Sequence, residues 1–218
     1  MAPRRDLWRA TPARFARLIL GLTLFGVGEG LLVAAQLGNS PWTVLAEGVS
    51  LNSSLGVGAA TVAISVVVLL LWIPLRQAPG LGTIANAIVI GLALEGAVQI
   101  LPEDPGLGLR WGLMSAGISL VALGSGLYLT AALGPGPRDG LMTGLTRRTG
   151  VSLRLVRASI EISVLVAGYL LGGAVGIGTV AFAVAIGPGV HFAVERLTTP
   201  EWRALMARRA ATAAPDGA

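Results

Sequence analysis

The chain repeats itself at a spacing of 96 residues, and each copy holds an odd number of apolar spans. Gly21, Leu24, Gly28, Gly30, Leu31 and Ala35 recur as Gly117, Leu120, Gly124, Gly126, Leu127 and Ala131. Ile64, Val68 and Leu69 recur as Ile160, Val164 and Leu165, and Gly80-Leu81-Gly82-Thr83 as Gly176-Ile177-Gly178-Thr179. The register holds without a gap over about 70 residues, which composition bias alone does not produce. Three spans per copy mean that the second copy must enter a membrane upside down relative to the first. That is the architecture of many secondary transporters.

The spans follow from composition. The 218 residues are 54% hydrophobic and only 12% charged, about half the charge of a soluble domain. Apolar runs long enough to cross a bilayer lie at about 17–37, 56–75, 80–101, 111–133, 151–171 and 176–195. The expected fold is an all-α polytopic membrane protein. It has six transmembrane helices arranged as two inverted three-helix repeats, each with a short extra helix after its first span. The organisation is a cytoplasmic N-terminal segment (1–16), a first repeat (17–101), an extracytoplasmic loop (102–110), a second repeat (111–195) and a cytoplasmic tail (196–218), Ala-rich and expected to be disordered at its end. The first apolar run could be read as a signal peptide, but its copy at 113–133 lies mid-chain, where none can be.

Arginine placement sets the orientation. The net charge of +5 comes from arginine, because the chain has no lysine. With the N-terminus in the cytoplasm, Arg4, Arg5, Arg9, Arg14, Arg17, Arg76, Arg138, Arg147, Arg148, Arg154, Arg196, Arg203, Arg208 and Arg209 all fall at the inner face, and only Arg110 falls outside. The expected location is the inner membrane of a bacterium, both termini cytoplasmic. The arginines flank spans instead of forming a patch among aromatics, so nucleic acid is not an expected partner.

Each first span ends in a glycine–proline break, Leu37-Gly38-Asn39-Ser40-Pro41-Trp42 and Leu133-Gly134-Pro135-Gly136-Pro137-Arg138-Asp139. Short helices at 41–51 and 137–147 follow, with Ser40 suited to cap the first and proline at the first helical position of both. They are either re-entrant or surface-lying. If re-entrant, their N-termini aim partial positive charge at a central cavity.

Charged residues inside spans cost about 2.5–3.5 kcal/mol each at a helix centre, so each needs a reason. Glu29 sits in Gly28-Glu29-Gly30. Glu161 is near the middle of span five, with Arg157 one turn before it and Arg154 another turn back. Two readings stand: an Arg157–Glu161 pair that only neutralises itself, or a face that binds substrate or a proton. The expected substrate-binding set is Glu29, Arg157, Glu161, Arg138, Asp139 and Trp42. Stripes of small residues on spans three and six end in Glu95 and His191, which are packing seams or proton-coupling groups. With one histidine and no cysteine, no metal site or cofactor is expected, and no catalytic nucleophile–base pair stands out, so an enzyme is not expected.

Together these blocks, with Leu71-Trp72-Ile73-Pro74-Leu75-Arg76, resemble the YczE-like family of bacterial integral membrane proteins, distantly grouped with YitT-like proteins. The resemblance covers about residues 17–195, and Gly136-Pro137-Arg138-Asp139-Gly140 is its most specific part. It implies a membrane protein and carries over no substrate-binding residue. Thr43 departs from the acidic residue expected there. That leaves Asp139 alone and counts against a scheme with two symmetric carboxylates.

The functional expectation is a small secondary transporter or permease working by alternating access on a small-molecule substrate. The alternative is a non-transporting membrane scaffold or accessory protein for a biosynthetic or regulatory partner. The glycine faces of spans one and four suit packing within one chain or across a homodimer equally well.

Overall fold

A computed structural model describes residues 7–198. The expectations for residues 1–6 and 199–218 lie outside the described residues. The described chain is all helical: α1 (Pro12–Ala35), α2 (Pro41–Leu51), α3 (Val57–Leu75), α4 (Leu81–Ile100), α5 (Leu107–Ala131), α6 (Pro137–Thr149), α7 (Leu153–Leu170) and α8 (Ile177–Leu197). The two short helices fall where the glycine–proline breaks place them. Helix α1 starts earlier than its apolar run, because Thr11 caps it, accepting from the Arg14 N–H, and Pro12 opens it.

Five helices are long and apolar enough to cross a membrane: α1, α3, α4, α5 and α8. The fifth expected span, α7, is a helix of 18 residues but falls short on composition, because Arg154, Arg157 and Glu161 all lie within it.

The core is a glycine-lined crossing of α1 and α5. A Cβ on Gly21 would lie 2.8 Å from the Gly124 carbonyl oxygen, and one on Gly28 would lie 2.8 Å from that of Gly117. As one member of the pair advances the other retreats, so α1 and α5 run antiparallel. Such backbone approach is how helices associate where apolar side chains gain nothing by leaving lipid. Helix α4 packs on α1, and α8 packs on α5. The short helices cross between halves: α2 packs on α7 and α6 on α3.

The breaks are held by the opposite half. After α1 the chain turns through Gly38 at φ 105°, and after α5 through Gly134 at φ 126°, a region that disfavours side chains. The Leu133 carbonyl accepts from Gly82 N–H at 2.8 Å, and the Leu37 carbonyl from Gly178 N–H at 2.7 Å. Each carbonyl thereby satisfies an otherwise orphaned N–H at the start of α4 or α8.

The halves differ at one seam. Helices α3 and α4 pack closely: Gly58 and Gly91 meet backbone to backbone, and the Glu95 carboxylate accepts from Gly58 N–H at 2.7 Å. Arg154 replaces Gly58 and His191 replaces Glu95 in the second copy. There α7 and α8 make at most marginal contact, and a Cβ on Gly187, the counterpart of Gly91, would meet nothing within 4 Å. With Arg154 and His191 in place of Gly58 and Glu95, the backbone-to-backbone contact is absent and the seam is open in this structure.

Candidate functional site: a buried charge cluster between the two short helices

Both short helices begin inside the bundle, not on its surface. Asn39, Ser40 and Thr43 are each 1% exposed. Ser40 occupies the cap position of α2, yet its side chain makes no cap bond. Its hydroxyl lies 3.0 and 2.8 Å from the two oxygens of Glu29 and donates to that carboxylate instead. Glu29 lies six residues, or about 9 Å of helix rise, before the end of α1. The chain therefore doubles back to that depth before α2 starts.

Glu29, itself 1% exposed, also accepts from Thr43 Oγ1 at 2.8 Å. Across the centre, Asp139 at the start of α6 accepts from the Tyr128 hydroxyl at 3.0 Å. Each half thus holds one carboxylate against hydroxyl donors. The carboxylate comes from the long helix in the first half and the short helix in the second. Thr43 is the counterpart of Asp139, and Glu29 that of Ser125. Two carboxylates are present after all, from non-equivalent positions.

Arg138 joins the halves. Its guanidinium lies 4.9 Å from the centroid of the Trp42 ring, a cation–π contact. Glu29, Glu161, Asp139 and Tyr128 all lie within its electrostatic reach. Trp42 Nε1 is buried facing Glu161 without closing a hydrogen bond of normal geometry. A cavity of about 10 Å³ remains beside them, lined by Trp42, Thr61, Ser65, Pro137 and Arg138 among others. That is room for one water. Thr61 and Ser65 are the counterparts of Arg157 and Glu161, so each half sends the same face of its second span toward this centre.

The structure brings together Glu29, Trp42, Arg138, Asp139 and Glu161. Arg157 is exposed at the margin, near Glu161. No Arg157–Glu161 or Arg138–Asp139 ion pair forms. The ion pair within 4.0 Å among the described residues is Arg110–Asp104, and His191 Nε2 lies 3.2 Å from Glu195 Oε1. Glu95 and His191 stand apart from the cluster. Glu95 caps α3, and His191 meets Glu195 at 3.2 Å on the exposed face of α8.

Sequence reasoning missed four contributors. Ser40 was legible only as a helix cap, and Thr43 only as the residue standing where an acidic one is expected. Tyr128 gave no repeat signal, because its counterpart is Leu32. Glu47 braces the break: Oε2 accepts from Asn39 Nδ2 at 2.8 Å and from Ala174 N–H at 2.7 Å.

Comparison with known proteins agrees with this membrane architecture. A model of the family described as "Family of unknown function (DUF6198)" matches residues 12–195. An uncharacterised protein of Haemophilus influenzae is 45% identical over 187 residues, covering 86% of each chain. The uncharacterised membrane protein YczE of Bacillus subtilis is 30% identical over 183 residues, covering 83% of this chain and 85% of its own. No solved structure matches. With the family model spanning every described helix and a YczE relative aligned over most of both chains, this protein belongs to the DUF6198 family of YczE-like membrane proteins.

Proposed function

We propose that the protein is a small secondary transporter of the bacterial inner membrane, with both termini cytoplasmic, acting on a small-molecule substrate without catalysing a reaction. The observation that carries this reading is the position of Arg138. It sits where the starts of two broken helices meet inside the bundle, with three carboxylates in reach. Ionisable groups at such depth are expensive and otherwise serve no packing purpose. Helix α7 is the sixth crossing in this scheme; 18 residues span about 27 Å, close to the hydrocarbon thickness. The antiparallel α1–α5 pair and the bonds that recur at a spacing of 96 support two inverted halves. The closed α3–α4 seam beside the open α7–α8 seam supports alternating access, in which each half takes both forms in turn.

One observation favours a non-transporting scaffold: the central cavity holds no more than a water. In that reading the cluster is a structural polar core. A thermal-shift screen of metabolites and vitamins on detergent-purified protein separates the two, run beside Glu161→Gln and Arg138→Ala. A ligand at 100 times its Kd stabilises by about 2.7 kcal/mol. A compound that stabilises the parent but neither variant, and that is taken up by liposomes holding the parent, supports the transporter. A broad screen without a hit, with both variants as stable as the parent, removes the central site and with it the transporter.

A further inference from the structure

The corner where α3 ends against α6 forms a second, open depression of about 640 Å³, lined by Ile73, Pro74, Arg76, Gly144, Arg147 and Arg148 among others. Among the described residues no carboxylate lines it. Arg148 Nη1 donates to the Pro74 carbonyl at 2.7 Å, which ties α6 to the end of α3. Among the described residues, the guanidinium groups of Arg76 and Arg147 donate no hydrogen bond and meet no carboxylate within 4.0 Å.

Positive charge at an inner membrane face is expected of any such protein. Two features here exceed that expectation. First, Arg76 is held at φ 52°, in the left-handed region where a side chain costs energy. Its counterpart in the second copy is Gly172, at φ 92°. An arginine is retained where the same fold elsewhere uses glycine. Second, the equivalent corner of the other half is built without charge. Leu51 and Asn52 stand for Arg147 and Arg148. Leu51 lies against Gly172, and Asn52 Nδ2 donates to the Leu171 carbonyl at 2.8 Å. Capping the neighbouring helix end therefore needs no guanidinium.

The geometry points to a phosphate-binding site, in which Arg76 and Arg147 donate directly to the phosphate group of an anionic ligand and Arg148 holds the two helices together. Guanidinium forks match phosphate oxygens in shape and charge. The exposed face of α3 below the basin is apolar, with Ile73, Leu70 and Leu71 at 72%, 58% and 47% exposure. Acyl chains would lie along it, so a phospholipid headgroup suits the site as well as a free phosphate does.

The test is native mass spectrometry of the detergent-purified full chain titrated with dioctanoyl phosphatidylglycerol, dioctanoyl phosphatidylcholine and inorganic phosphate. The parent is compared with Arg76→Gly, with Arg76→Gly/Arg147→Gln, and with Arg9→Gln as an exposed control outside the basin. Arg76→Gly preserves the backbone, since Gly172 adopts the same region in the other half. Phosphatidylglycerol binding is expected to exceed phosphatidylcholine binding by tenfold or more, and the double variant is expected to abolish that preference while Arg9→Gln keeps it. Binding of inorganic phosphate lost in the same variant, without a lipid preference, assigns the site to a free phosphate. Equal affinity of the parent and the double variant for both the anionic lipid and phosphate overturns the proposal.

Discussion

Replacing Thr43 with aspartate tests the charge arrangement at the centre. Thr43→Asp gives the first half the residue that its counterpart, Asp139, supplies in the second. Thr43 Oγ1 lies 2.8 Å from Glu29 Oε2, so the new carboxylate is forced against an existing one. At a charge separation of about 4 Å and an effective dielectric near 20, the repulsion is about 4 kcal/mol. For a chain of this length that lowers Tm by roughly 8–16 °C. The structure also names the remedy. Adding Glu29→Ser copies the second half, where Ser125 stands at that position, and leaves one carboxylate beside the Ser40 hydroxyl. The double variant should recover to within about 2 kcal/mol of the parent, the scale of the hydrogen bonds still missing. The assay is thermal unfolding in detergent at pH 8 and pH 5, followed by tryptophan fluorescence. The single variant relieves its repulsion by taking up a proton, so its folded state binds more protons than its unfolded state. Its deficit should therefore shrink as pH falls. A single variant as stable as the parent at pH 8, or a double variant no better than the single, refutes a repulsion between carboxylates at positions 29 and 43.

Three further outcomes follow from contacts elsewhere. Gly28→Val must push α5 away, because its Cβ would lie 2.8 Å from the Gly117 carbonyl oxygen; it should lower Tm sharply, while Gly108→Ala, which meets nothing within 4 Å, should leave Tm unchanged. Trp72→Phe removes the Nε1–H donor to the Pro137 carbonyl, 3.0 Å away in a 2% exposed setting, and should cost about 1–2 kcal/mol by the same unfolding assay. Gly58→Ala sets a Cβ against the Gly91 carbonyl oxygen and should lower Tm, while Gly187→Ala, which meets nothing within 4 Å, should not, and an equal loss of Tm in both would contradict a seam closed in one half and open in the other.

The eight helices were legible because their signals are local: apolar length, glycine–proline breaks and a constant repeat register. The content of the site was legible only in part. A charge in an apolar run announces itself, which is why Glu29, Arg138 and Glu161 stood out. Hydroxyls in such a run do not, because Ser40, Thr43 and Tyr128 cost little to place and look like caps, walls or packing. Their role depends on the depth to which the chain doubles back after α1, and that depth is set by long-range bonds such as Leu37 to Gly178. Glu95, legible as a seam residue or a proton-coupling group, lies on α4 against the start of α3 and accepts the Gly58 N–H, a contact that its spacing does not announce.

The repeat constrains function through its differences more than its matches. The α3–α4 seam is closed, and the α7–α8 seam, where Arg154 and His191 stand for Gly58 and Glu95, is open. The same halves keep the carboxylate–hydroxyl pairing at the centre while moving the carboxylate from a long helix to a short one. Selection for packing alone would have no reason to rebuild that pair from different positions. It is rebuilt where Arg138 and Trp42 bridge the two helix starts, so a change in one half is felt by the guanidinium that the other half also holds. The two halves therefore meet at one shared cation.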